Sequence, residues 1–142
     1  MTIYADSSLL VSVYIQDAHS QEAVRRMGQA PSVWVTKLNR SEMANALFRH
    51  VFRGMLSASE AQQYWTEFQQ DCTQGVWVPT DLPEGSWETS IDLARRYGPT
   101  LGLRTLDSLH VACALELKAL RFWTFDERQA RLAEAVGLDT TS

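Results

Sequence analysis

Leu106-Asp107-Ser108-Leu109-His110-Val111-Ala112-Cys113-Ala114-Leu115 and, a few residues on, Arg121-Phe122-Trp123-Thr124-Phe125-Asp126 decide how this chain is read. The first stretch is strongly apolar and helical, extending over about Thr105 to Lys118, with one carboxylate in its first turn. The second is a strand over 121–125, rich in aromatic residues, that closes on another carboxylate. A helix that leads straight into an apolar strand is a unit of a parallel α/β sheet.

The same grammar runs through the rest of the chain. Met1-Thr2-Ile3-Tyr4-Ala5 is apolar and ends on Asp6. Residues 2–5 read as the first strand, followed by helices from Ser7 to Tyr14 and from Ser20 to Met27. Ser32-Val33-Trp34-Val35-Thr36 is a second strand, and a helix over about Lys37 to Arg53 ends at Gly54. Ser57-Ala58-Ser59-Glu60 has the capping-box pattern that starts a helix reaching about Cys72. Gly75 precedes a short strand at Val76-Trp77-Val78. Asp81-Leu82-Pro83-Glu84 opens a helix to about Tyr97, where Gly98-Pro99 is expected to stop it. The loop Thr100 to Arg104 follows. Asp126-Glu127-Arg128-Gln129 caps a last helix that Gly137 ends, and Leu138 begins a short edge strand. With no repeat, linker or low-complexity segment, residues 1–142 are expected to form a single three-layer α/β/α domain around a mainly parallel sheet.

Composition narrows the function. At 142 residues with 45% hydrophobic residues the chain can bury one core. A net charge of −4 excludes a general nucleic-acid coat protein, because non-specific phosphate affinity comes from Lys and Arg. A nuclease needs basic residues only beside one cleft. Cys72 and Cys113 form no CxxC pair and lack matching histidine spacing, so zinc is not expected. The run Leu9 to Ile15 is far too short to span a membrane, and the expectation is a cytoplasmic protein with no membrane partner.

Four acids stand out: Asp6, Glu42, Asp107 and Asp126. Two follow strands directly, and two lie in the opening turns of helices. In α/β folds ligands bind beyond the carboxyl ends of parallel strands. Each acid has an ordinary explanation taken singly. Asp6 and Asp126 suit helix N-caps, Glu42 suits the return partner of a cap at Asn39, and Asp107 complements a helix dipole. Together they are harder to explain, because two unit charges about 4 Å apart repel by roughly 4 kcal/mol at an effective dielectric near 20. Either their pKa values rise or a cation neutralises them. A carboxylate-only set suits Mg²⁺ or Mn²⁺, and metal-assisted chemistry on a phosphate follows.

Other polar groups are weaker signals. Ser8 is placed to hold a water or a phosphate oxygen, and Thr124 to steady Asp126 through its hydroxyl. Arg104 is the basic residue expected nearest the cleft. His19, His50 and His110 are scattered, with His110 read as a helix-face residue and a role supporting the acids from behind as the alternative. The absence of G-x-S-x-G, Walker and G-x-G-x-x-G patterns removes acyl-hydrolase, P-loop and dinucleotide readings. Phe48, Phe52, Tyr64, Trp65 and Phe68 suggest a helical hairpin that presents a groove to a partner helix or a second subunit.

Tyr4-Ala5-Asp6-Ser7-Ser8, Ser41-Glu42-Met43-Ala44-Asn45-Ala46-Leu47, the Leu106–Leu115 block and Phe122-Trp123-Thr124-Phe125-Asp126 together resemble a PIN-domain ribonuclease, most of all the toxin of a bacterial VapBC-type toxin–antitoxin pair. The resemblance covers essentially the whole chain. It implies a Mg²⁺- or Mn²⁺-dependent endoribonuclease, dimeric, acting on RNA and silenced by a cognate antitoxin. The family's acidic quartet matches Asp6, Glu42, Asp107 and Asp126, its hydroxyl after the first acid matches Ser8, and Asn45, Thr124 and Arg104 are supporting candidates. A housekeeping PIN nuclease of RNA processing shares the same acids and is the alternative. A receiver-like, Mg²⁺-binding signalling domain would want an acidic pair after its first strand and a Lys after its last, and this chain has neither. A haloacid-dehalogenase-like phosphatase would want a second Asp where Ser8 stands.

Overall fold

A computed structural model describing residues 2–142 has the strands β1 (Thr2–Ala5), β2 (Ser32–Val35), β3 (Trp77–Pro79) and β4 (Arg121–Trp123). Its helices are α1 (Ser7–Tyr14), α2 (Ser20–Met27), α3 (Lys37–Phe52), α4 (Ala58–Thr73), α5 (Ser86–Leu101), α6 (Thr105–Glu116) and α7 (Glu127–Ala135). The strands form one parallel sheet in the order β3-β2-β1-β4. Helices flank it, and the expected α/β/α architecture is what is observed.

Alternation along the strands divides the core in two. Ile3 and Ala5 of β1, Val33 and Val35 of β2, and Trp123 of β4 point to one face, where Leu9, Met43, Leu47 and Phe68 cover them. Tyr4 and Phe122 point to the other, against Leu109, Val111, Ala112, Cys113 and Leu132. Burial on both sheet faces explains why the strands are nearly continuous in apolar residues. It also explains α6, whose residues from Asp107 to Ala114 are all buried.

The boundaries of α1 and α2 are as expected, and three other features differ. First, α5 begins at Ser86, not near Asp81, and continues through Gly98-Pro99 to Leu101. A proline usually excludes helix from the residue before it through contact with that residue's Cβ, and Gly98 has none. The hydrogen bond that Pro99 cannot make lies in the last turn, and Gly102 then ends the helix with φ 62°. Second, β4 stops at Trp123 because side chains take over the next backbone donors. Phe125 N–H donates to Ser8 Oγ at 2.9 Å, and Asp126 N–H to Thr124 Oγ1 at 2.9 Å. Third, the expected edge strand at Leu138 is a single parallel bridge between Arg121 and Asp139.

Sheet order fixes where a site can form. The chain moves from β1 to β2 to β3 on one side and then crosses to place β4 on the other. The carboxyl ends of β1 and β4 therefore flank the topological switch point, where α/β folds open a crevice.

Candidate active site

Asp6 leaves β1 as the N-cap of α1. Its Oδ1 accepts from Ser8 N–H at 3.1 Å and from Ser8 Oγ at 2.5 Å. Because Ser8 also accepts from Phe125 N–H, one serine ties the end of β1 to the segment after β4. The Asp6 carboxyl is buried, and burial pushes its pKa up. Nearby His110 and the hydroxyls of Ser8 and Thr124 offset part of that shift, and the charge of Glu42 adds to it.

Glu42 is delivered by α3, but not as a cap. The N-cap is Thr36, and the return partner is Asn39, whose Oδ1 accepts from Thr36 N–H at 2.9 Å. Asn39 Nδ2 also donates to Ala5 O at 2.8 Å, which locks the start of α3 to the end of β1. The capping role expected for Glu42 is thus taken by other residues, leaving its carboxylate free one turn later. It accepts from Ser7 Oγ at 2.7 Å and makes a very short contact with His110 Nε2. Burial alone would raise the Glu42 pKa, but the His110 and Ser7 contacts outweigh it and hold the group below its ordinary value.

His110 is fully buried and contacts Glu42, in line with the alternative reading that it supports an acid from behind. Its Nδ1 lies 2.6 Å from Tyr4 Oη. Burial raises the Tyr4 pKa well above normal, so its hydroxyl keeps its proton. With Tyr4 donating to Nδ1, the ring offers Nε2–H to Glu42. This Tyr4–His110–Glu42 chain spans sheet, α6 and α3.

Asp107 is in the first turn of α6, its side chain only 1% exposed. It accepts from Arg104 N–H at 2.9 Å, from Arg104 Nε at 3.2 Å and from Gln129 Nε2 at 3.3 Å. Burial pushes its pKa up, and the Arg104 contacts reverse the shift and hold it down. Asp126 is the N-cap of α7, accepting from Gln129 N–H at 3.1 Å. Arg104 Nη2 donates to Asp126 Oδ2 at 2.8 Å, so one guanidinium bridges both acids.

All four acids therefore lie at one end of the sheet. A cleft of about 810 Å³ opens there, lined by Glu42 and Asp126 together with Ser7, Ser8, Asn45 and Arg104. Asp6 and Asp107 sit behind Ser8 and Arg104. Among the described residues no three acidic, histidine or cysteine side chains converge as a ready ligand set. They are paired off instead, Glu42 with His110, and Asp107 and Asp126 with Arg104. Thr124 serves the Asp126 backbone rather than its carboxylate. Arg49, His50 and Arg53 of the α3 end also line the cleft, as do His19 and Phe125.

Comparison with known proteins identifies the family of the chain. Residues 3–135 match the PIN domain model. The chain belongs to the PIN-domain family. This PIN domain is 30% identical over 73 residues to Ribonuclease VapC3 of Pyrobaculum aerophilum, a stretch covering 49% of this chain and 56% of that protein. The chain thus spans little more than half the length of this curated relative. In structure it resembles VapC20 of Mycobacterium tuberculosis, a sarcin-ricin loop cleaving toxin, with TM-score 0.74 at 16% identity over 98% of both chains. It also resembles FitAcB of Neisseria gonorrhoeae, with TM-score 0.66 at 12% identity over 99% of this PIN domain and 96% of that chain. No described helix is long and apolar enough to cross a membrane.

The partners of the acids, unlike the acids themselves, carried little sequence signal. His110 and Tyr4 meet across 106 residues, and His110 and Glu42 across 68. A buried histidine inside an apolar helix was the one available hint, since such a ring needs partners.

Proposed function

We propose that this protein is a divalent-metal-dependent endoribonuclease, the toxin of a type II toxin–antitoxin pair, with Asp6, Glu42, Asp107 and Asp126 as its catalytic and metal-holding residues. The observation that supports the reading is that all four acids lie at the carboxyl end of the sheet in a PIN fold, Glu42 and Asp126 lining the cleft and Asp6 and Asp107 behind it. The RNA substrate is inferred from the ribonuclease and toxin to which the chain is similar.

The residues fit a hard divalent cation such as Mg²⁺ or Mn²⁺. The donor set is all oxygen, and a positive group already sits between Asp107 and Asp126, namely the Arg104 guanidinium. That side chain is 59% exposed and can swing into solvent, leaving the two carboxylates to a metal. When bound, such an ion stabilises charge building on the phosphate and makes a water more acidic. The protein's own groups do the rest. Glu42 stays ionised and faces the cleft, aimed by Ser7 and His110, where it can orient the attacking water. Ser8 holds Asp6 and the Phe125 backbone in register. Arg104, once released, is a cation within reach of a phosphate oxygen.

A protein partner is supported by the exposed apolar side chains at the end of α3, Phe52 at 91%, Met55 at 64% and Phe48 at 41%. This is the patch we assign to the antitoxin or to a second copy of the chain. Phe68, expected on the same surface, is fully buried in the core and has no part in it.

The test is cleavage of a single-stranded RNA by the purified protein. Activity should require Mg²⁺ or Mn²⁺ and disappear in EDTA. Undiminished cleavage in chelator, with contaminating nuclease excluded, overturns the metal mechanism.

A further inference from the structure

Within the cleft, the imidazole of His19 lies flat on the ring of Phe125, with centroids 4.5 Å apart and planes 6° apart. Both residues line the cleft, and Phe125 is the immediate neighbour of Asp126. Building on the ribonuclease reading above, we propose that this stack is a nucleobase platform. It receives the unstacked base beside the bond that is cut, while Arg49 and Arg53, which also line the cleft, hold the backbone phosphates.

Three observations support it. The His19 side chain has no other visible task. It sits at the N-cap of α2 without making a capping hydrogen bond, and among the described residues its ring nitrogens have no partner within the chain. The loop that carries it is held stiffly. Asp17 accepts from Ser12 Oγ at 2.9 Å and from His19 N–H at 2.8 Å, and Ser20 Oγ receives Asp17 N–H at 2.8 Å while donating to Ile15 O at 2.9 Å. Phe125 is fixed from beneath, its N–H on Ser8 and its ring within 5.4 Å of the Arg26 guanidinium, which also lies over Trp123. An exposed ring with nothing to bond, backed by a second ring and held rigidly beside an acid, is what a base-stacking surface requires. Stacking also tolerates any base, because every base has a flat face.

The experiment measures binding of a fluorescein-labelled single-stranded RNA dodecamer in EDTA, so that the strand is not cut. A matching strand whose ribose-phosphate backbone lacks bases serves as control. His19→Ala should weaken RNA binding about tenfold and leave the abasic strand unaffected. His19→Trp should restore or tighten binding to RNA. Arg49→Gln should weaken both strands alike. In cleavage assays with Mn²⁺, His19→Ala should raise KM by a similar factor while kcat falls less. His19 is exposed, so all variants should melt like the parent.

Parent-like RNA binding by His19→Ala overturns the proposal. So does an equal loss on the abasic strand, or failure of His19→Trp to restore binding, since His19 would then act through charge or a hydrogen bond. If the parent cleaves RNA while His19→Ala matches it in binding and KM, the platform alone is wrong and the nuclease stands. If the parent binds through His19 but cleaves nothing, the platform stands and the nuclease falls. A parent that neither binds RNA nor cleaves it with Mn²⁺ overturns both.

Discussion

Arg104 shows how one side chain can hide a site's chemistry. Its guanidinium lies between Asp107 and Asp126, so the metal-free acids are compensated by a tethered cation. Asp107 is held below its ordinary pKa by this contact. A lowered folded-state pKa contributes stability above the unfolded value, and that stability is lost as pH falls through the folded value. Arg104→Gln should therefore destabilise the metal-free protein at neutral pH. The loss should be only about 1 kcal/mol, because Arg104 is largely in solvent and its charge is screened. The difference should vanish in acid, once Asp107 is protonated in both proteins. Mn²⁺ should bind the variant more tightly than the parent, because its competitor is gone. Melting curves across pH and calorimetric Mn²⁺ titration check both parts. Equal Mn²⁺ affinity would show that Arg104 and the metal do not share a place.

At the scale of elements, the site depends on how α3 is fastened to β1. Asn39 is fully buried and bonds Thr36 N–H and Ala5 O together. Asn39→Ala should cost roughly 2–4 kcal/mol in chemical denaturation, since two buried backbone groups lose a partner. It should also lower RNA cleavage by about tenfold, because Glu42 sits one turn further along α3 and loses its anchor. A variant with the predicted instability but parent-like kcat would separate this cap from the site. Here the limits of sequence reading are physical. The placement of Asp6 and Asp126 at the ends of strands and the starts of helices was legible because that pattern is local. The cap expected at Asn39 with Glu42 as its return partner is instead Thr36 with Asn39, a choice that the bond from Asn39 to Ala5 O accompanies and the local sequence does not announce. The passage of α5 through Gly98-Pro99 depended on the missing Cβ of Gly98, which outweighed proline's usual effect.

Across the whole molecule, nine large apolar side chains are exposed among the described residues, and Phe48, Phe52 and Met55 are the three at the C-terminal end of α3 and just past it. Phe52→Asp should leave the stability of the isolated chain within about 0.5 kcal/mol, because the ring is already in water. It should weaken self-association, or capture of an antitoxin, as read by light scattering. A parent that is monomeric, and a variant that binds the same antitoxin equally well, would remove this patch from any interface. The hairpin aromatics looked alike in the sequence. Only the fold sorts them, sending Phe68 inward against the sheet and Phe52 outward. The same holds near the cleft, where His110 meets Tyr4 and Glu42, and His19 meets Phe125, across long stretches of chain.

We assign Asp6 to a metal centre rather than merely to the cap of α1, and Asp6→Asn separates the two. Asparagine caps a helix as well as aspartate and keeps the oxygen that Ser8 uses. Burial raises the Asp6 pKa, so its contribution to stability is lost as pH rises through that raised value. Near neutral pH without metal, the variant should therefore melt no lower than the parent, and higher if Asp6 is ionised. Its response to Mg²⁺ should shrink, because ligand stabilisation tracks affinity, and RNA cleavage should fall by at least about 100-fold. A variant that cleaves RNA normally and gains as much stability from Mg²⁺ as the parent would contradict the account.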